Sequence, residues 1–378
     1  MLFQIYGDTA ITQLLGWVLV FAALVLLNEL ARRTKAGGIG IFVGVTALLT
    51  VYFIVVHAVP SLRENNWTVN YMDGWFHYFK LYAAVIGCIG FMMIKYEWGL
   101  GKKAWFKPFP WLIVAANIMI AVVSDMESAI KGYMAVKELT GTGTFSGGWW
   151  VSNEGVFLYG GWWNIANALA GVINIFCMTS WWKVYSSKDK NHSDMVWPDM
   201  TAWFIVAYDI WNFQYTYANL PTHSWYCGVA LLLAPTFANA FWNKGGWIQN
   251  RANTLAIWCM FAQVVPMFQL CKTFSVVPSL YAGAGAQGIS ALDLYDKAIA
   301  LYNSNASASA VADSISGMGI TANPTAQGVV SLLALVANVI CIMAIIKRSK
   351  KLGINPYKQD VWVGTKDYEE AMERAEVK

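Results

Sequence analysis

Apolar runs long enough to cross a lipid bilayer recur along the whole chain, from the stretch at 11–31 to that at 326–346. A helix needs about 20 such residues to span a hydrocarbon core of roughly 30 Å, and with no water there to satisfy the backbone only helices and closed barrels can cross. The runs do not alternate polar and apolar positions as the ~10-residue strands of a membrane barrel do. The expected fold is therefore all-α, a polytopic helical membrane protein. Charged residues make up 13% of the chain, about half of the ~25% usual in soluble proteins. The first run is followed by Arg32, Arg33 and Lys35; it is too long for a signal-peptide core and charged at the wrong end for one, so it reads as a retained span.

Helical periodicity places about nine spans, at 11–31, 39–60, 75–96, 110–130, 162–183, 200–220, 224–243, 250–270 and 326–346. Basic residues divide unevenly between alternate loops. Arg32, Arg33 and Lys35, then Lys95, Lys102, Lys103 and Lys107, then Lys183, Lys188 and Lys190, then Lys244 and Arg251, and finally Lys347, Arg348, Lys350 and Lys351 fall on one side. The positive-inside rule then predicts an N-terminus outside and a C-terminus in the cytoplasm, in a multi-pass protein of the plasma membrane. Residues 1–350 are expected to form a single transmembrane helical domain, and 351–378 a charged cytoplasmic tail, as a short solvated helix or disordered. Two extracytoplasmic loops, at 131–161 and 272–324, should form a cap, the first as an irregular, glycine-bent lid or a re-entrant approach to the membrane surface and the second around a surface helix through Leu292, Leu294, Ala298 and Leu301. Tryptophans such as Trp98, Trp105, Trp181, Trp182 and Trp242 fall where span ends meet headgroups, as an aromatic belt does.

The net charge of +4 is small and sits in loops, so it reports topology and no nucleic-acid footprint. The six cysteines include no CxxC pair and fall almost entirely in apolar runs, which argues against a disulfide framework or thiolate site. A phosphate-binding loop, a G-x-S-x-G elbow, a selectivity-filter sequence and an arginine-rich voltage sensor are all missing.

Chemistry is expected where polar residues enter the spans. At helical spacing Asp209, Asn212, Thr216 and Asn219 share one face of the sixth span, with Trp211 beside them. An ionisable group at bilayer depth is costly, and marks a bundle interior or a water-filled cavity. Other spans carry similar stripes: Asn117, Ser124, Asp125 and Ser128 with Glu127 alongside; Asn164, Asn167, Gly171 and Asn174; Asn239 beside Pro235; Asn253 and Gln263 beside Pro266. Single amides in membrane helices often only join neighbours, but five spans with such stripes, two of them broken by proline, fit a transport site better. A purely structural alternative pairs Lys80 with Asp125 or Glu127, and Glu29 is expected to reach the inner headgroups or to pair with Arg32 or Arg33.

The expected function is that of a permease for a small polar solute or ion, proton- or cation-coupled through Asp209. Its binding residues are drawn from Asp209, Asn212, Trp211, Asp125, Glu127, Asn167, Asn174, Asn239 and Gln263. A homo-oligomer is compatible with this reading. A different class, a membrane enzyme or redox protein, would use His57, His77 and His223 with Asp125 or Glu127 to hold a transition metal or haem at the outer face. That arrangement requires residues without linked spacing to converge, since no HExxH or ExxH pair is present. A third class is a membrane subunit that docks a partner through its outer loops.

Overall fold

The computed structural model describes residues 2–5, 7–72 and 75–377, which are mostly helical. Five helices are long and apolar enough to cross a membrane: α1 (Ala10–Arg33), α2 (Lys35–Ala58), α3 (Trp75–Lys95), α4 (Phe109–Thr140) and the helix Pro324–Leu352. Four further helices stand where spans were expected but are shorter or less apolar: α5 (Trp162–Phe176), α6 (Ala202–Asn219), α7 (Tyr226–Phe241) and α8 (Trp247–Phe261). Proline explains one shortening. The helix expected to reach residue 270 stops at Phe261 because the Pro266 ring has no N–H and clashes with the carbonyl four residues back, at Ala262. It restarts for one turn, Met267–Leu270. At the other, α5 ends at Phe176 because the chain turns aside at Cys177, and Trp197 Nε1 donates to the Thr179 carbonyl at 2.9 Å to hold that turn.

The helices pack as two groups. Helices α4, α5, α6 and Pro324–Leu352 surround a core that includes Ile118, Ala170, Phe204 and Trp211. Helices α1, α3, α7 and α8 surround a second core with Leu81, Cys88, Tyr226 and Trp258, and α2 rests on α1 and α3. Asn212, Trp211 and Arg251 line a cavity at the seam between the groups.

One end of the bundle carries a cap. Helix α4 runs on to Thr140, past the point where a loop was expected, and is followed by a hairpin of β1 (Gly148–Val151) and β2 (Phe157–Gly160) rather than an irregular lid. Glycine is required here: a Cβ on Gly160 would stand 1.7 Å from the Ser128 carbonyl oxygen, and one on Gly132 would stand 2.1 Å from that of Gly160. Helices α9 (Ala291–Asn303) and α10 (Ala308–Gly317) follow, the first started by Ser290 and Asp293 in a capping box. Leu294 and Ala298 of α9 pack with Phe157, Tyr217, Tyr281 and Ile315 in the cap's own apolar core.

The opposite end is closed by the tail. After Pro324–Leu352, here α11, residues 361–376 fold against the bundle through α12 (Lys366–Arg374) and a small sheet in which β3 (Tyr185–Ser187) pairs with both β4 (Met195–Val196) and β5 (Ala375–Glu376). The tail is thus an ordered element. Asp199, fully buried, accepts hydrogen bonds from the backbone N–H groups of Val361 and Trp362, each at 3.0 Å, and Asp367 accepts from the N–H of Ala202 at the start of α6. Arg374 reaches Asp194, which Arg32 also grips through Nη1 at 2.9 Å to both oxygens. As expected, Glu29 pairs with Arg32 at 2.6 Å and with Arg33 at 2.5 Å.

Candidate functional site

The site is built around Arg251. Gly245 and Gly246 break the chain before α8, so the helix starts at Trp247 and carries Arg251 more than one turn into the bundle. There it is only 9% exposed. Its Nη2 donates to Asn212 Oδ1 at 3.3 Å and its guanidinium lies 5.8 Å from the centre of the Tyr208 ring. Its Nε and Nη1 are buried without any hydrogen-bond partner, and it forms no ion pair among the described residues. Leaving a charge buried and unpaired is among the costliest things a fold can do, and native structures rarely do so without a reason.

Arg251 borders a row of neighbouring cavities along the seam, which share lining residues. A cavity of about 70 Å³ lies between α3, α4, α6, α7 and α8, with Lys80, Asn117, Asn212, Tyr215 and Arg251 on its wall. Toward the tail, a second of about 40 Å³ shares Asn117, Tyr208, Arg251 and Leu255 with it and continues to Phe91 and Trp247. Toward the cap, a vestibule of about 530 Å³ shares Ile120, Tyr215 and Leu220 with the first and is edged by Glu127, Lys131 and Glu154. A side pocket of about 30 Å³ shares Lys80, Leu220 and Cys227, and brings in His77, His223 and Gln263. At this mouth burial pushes the Glu154 carboxyl above its ordinary value; the charge of Lys80 opposes the shift and that of Glu127 adds to it.

The residues expected from sequence are distributed around this seam. Asn212 and Trp211 line the central cavity, Glu127 the vestibule and Gln263 the side pocket. Asp209 lies one residue from Tyr208 and lines none of these cavities; Thr236 Oγ1 donates to its Oδ2 at 2.7 Å, and its Oδ1 is enclosed without a partner. Asp125 is fully buried and held by three amides, Asn164 Nδ2 at 3.0 Å, Asn167 Nδ2 at 2.8 Å and Asn219 Nδ2 at 2.6 Å. Three asparagines, in place of the Lys80 that the sequence suggested, satisfy Asp125, and Lys80 lines the cavities. Asn174 lies away from the seam and donates to Asn338 at 2.7 Å, tying α5 to α11. Asn239 is buried on α7 with its Oδ1 unpartnered.

The three histidines do not gather into one ligand set. His57 Nε2 lies 3.0 Å from Tyr78 Oη and His223 Nε2 lies 2.8 Å from Tyr71 Oη. The Tyr71 ring also contacts that of His77 at 4.9 Å, so a phenol stands between these two imidazoles. Among the described residues no three His, Cys, Asp or Glu side chains lie together as a metal site.

Arg251 itself was assigned to a loop as a topology marker. The available signal was the Gly245–Gly246 pair, which starts the helix at Trp247 and moves the arginine inside it. Tyr208 and Tyr215 were missed for a different reason: aromatic residues on a membrane helix read as lipid-facing until the packing is known. No curated protein and no solved structure matches the chain. A family model does match, over residues 7–374, and the chain therefore belongs to the family of unknown function DUF5692.

Proposed function

We propose that the protein is a permease that carries a small polar solute or ion across a plasma membrane, with the seam cavities as its route. The observation that supports this most is a row of neighbouring cavities. Four of them share lining residues from the open vestibule under the cap to Phe91 and Trp247, along the line where α4 and α6 meet α3, α7 and α8. Two bodies that can rock about a site at their interface are the common plan of secondary transporters. In this reading the chain crosses the membrane about nine times, with the four shorter helices sheathed by the five long ones. The N-terminus is outside and the cap extracytoplasmic. The tail end, where Arg32, Lys95, Lys244 and Arg374 collect, is cytoplasmic.

Asp209 is the coupling group of this proposal, because it is a mid-helix carboxylate with one enclosed, unpartnered oxygen beside the seam. The test is uptake of a panel of small solutes into vesicles containing the purified protein, at several pH values and with or without a sodium gradient. Asp209→Asn is expected to leave binding in place and to remove the dependence on the driving ion. Unchanged coupling in that variant would sink the role of Asp209, and no protein-dependent flux of any solute would sink the permease.

A further inference from the structure

We infer that the central seam cavity is a binding site for a small oxyanion, a carboxylate or phosphate-type group, held by Arg251 with Lys80 opposite. This deepens the permease reading and rests on it for the route; the recognition of the anion stands on its own geometry. Nε and one Nη of a guanidinium form a planar fork that matches two oxygens of a carboxylate or phosphate, and here Nε and Nη1 are both buried with no partner while Nη2 is fixed by Asn212. Lys80, on another helix, lines the same cavity. The remaining polar groups there, Asn117, Asn212, Tyr215 and Thr216, offer neutral hydrogen bonds. A buried guanidinium fork with two open N–H sites on a cavity wall is an arrangement that the two oxygens of an oxyanion complete and that a cation would meet with repulsion.

Size narrows the class. The cavity of about 70 Å³ continues into one of about 40 Å³ past Arg251, room for a few water-sized groups. The ligand is an oxyanion of a few heavy atoms, not a nucleotide or peptide. The approach from the vestibule passes Glu127, Lys131 and Glu154, so charge selection is made at the cavity and not at the mouth.

The test is thermal stability of the delipidated protein in detergent, with sodium phosphate and sodium lactate as probes. Sodium chloride at equal ionic strength and uncharged lactamide are the controls. The expected result is saturable stabilisation by both oxyanions beyond the controls. Arg251→Gln and Lys80→Gln should each weaken the apparent affinity about tenfold or more. Because removing a buried arginine can unfold the chain, Asn212→Asp is the decisive second variant. Its carboxylate sits at hydrogen-bond distance from Arg251, pairs it internally, and should give a folded protein that no longer responds to oxyanions. Stabilisation only by added phosphatidylglycerol keeps the oxyanion site and assigns it to a lipid headgroup, and so removes the solute route. Equal stabilisation by lactamide, no saturable effect, or an unchanged response in Asn212→Asp and Lys80→Gln overturns the inference. Oxyanion binding with no flux into vesicles would defeat the permease and leave the site standing.

Discussion

At the residue scale, one face of α6 shows how a polar stripe is divided among partners. Asn212 goes to Arg251, Thr216 turns back to its own Phe213 carbonyl at 2.9 Å, and Asn219 reaches Asp125. That stripe was legible from 3.6-residue spacing alone, but its destinations were not, because each partner sits on another helix and spacing within one helix carries no inter-helix register. Asp125 is the most tightly held of these groups. Asp125→Ala would leave three buried amides without their acceptor, each costing about 1–3 kcal/mol, and should lower the melting temperature far more than Asn117→Ala. Asn117 spends its amide on its own helix, donating to the Ile113 carbonyl at 2.7 Å. Equal losses for the two variants would show that the amide cage is not what stabilises α4 against α5 and α6.

At the scale of elements, close approach and docking decide what pattern could not. The hairpin lies against α4 because Gly132 and Gly160 let backbone touch backbone; Gly160→Ala should therefore be strongly destabilising, measured as a lower melting temperature, whereas Gly141→Ala, which meets nothing within 4 Å, should be penalised only for its positive φ of 77°. The tail was unreadable for a related reason. Its sequence is charged and looks solvated, yet the ligands that order it, Asp199, Asp194 and Lys244, are far away in the chain. Asp199→Ala should free residues 355–376 and make them the first site of limited proteolysis; protection equal to the parent chain would contradict the docking role. A pH dependence follows from the same carboxyl. Burial pushes Asp199 up to about 6 from its ordinary value of 3.8, against hydrogen bonds from Thr179 and the Trp362 and Val361 backbone. The folded chain keeps a proton there that the unfolded chain releases, so this group's contribution is full below about pH 4 and is lost as pH rises to about 6. Relative to the parent chain, Asp199→Asn should gain stability across that window, read from melting curves; a difference that stays flat with pH would mean the carboxyl does not titrate there.

At the scale of the whole molecule, the membrane character was plain from apolar length, and five of the helices found in the expected stretches are long and apolar enough to cross a membrane, while the expected spans at 162–183 and 250–270 are cut short. What length could not give was the seam. Two cores, one centred on α4 and α6 but reaching Phe91 of α3 and Trp247 of α8, the other centred on α3, α7 and α8, are a property of packing, and whether an arginine near a helix end points inward or to headgroups is decided by that packing. In the permease proposed above, this seam opens to both sides in turn. Cys227 lines its cavities and is buried, so the chain carries its own reporter. The measurement is the reaction of a membrane-impermeant thiol reagent with a protein that retains Cys227 as its sole cysteine, applied to oriented vesicles from the cap side and, separately, from the tail side. The account predicts modification from both sides, slowed by phosphate. Modification from one side alone, or from neither, would contradict it.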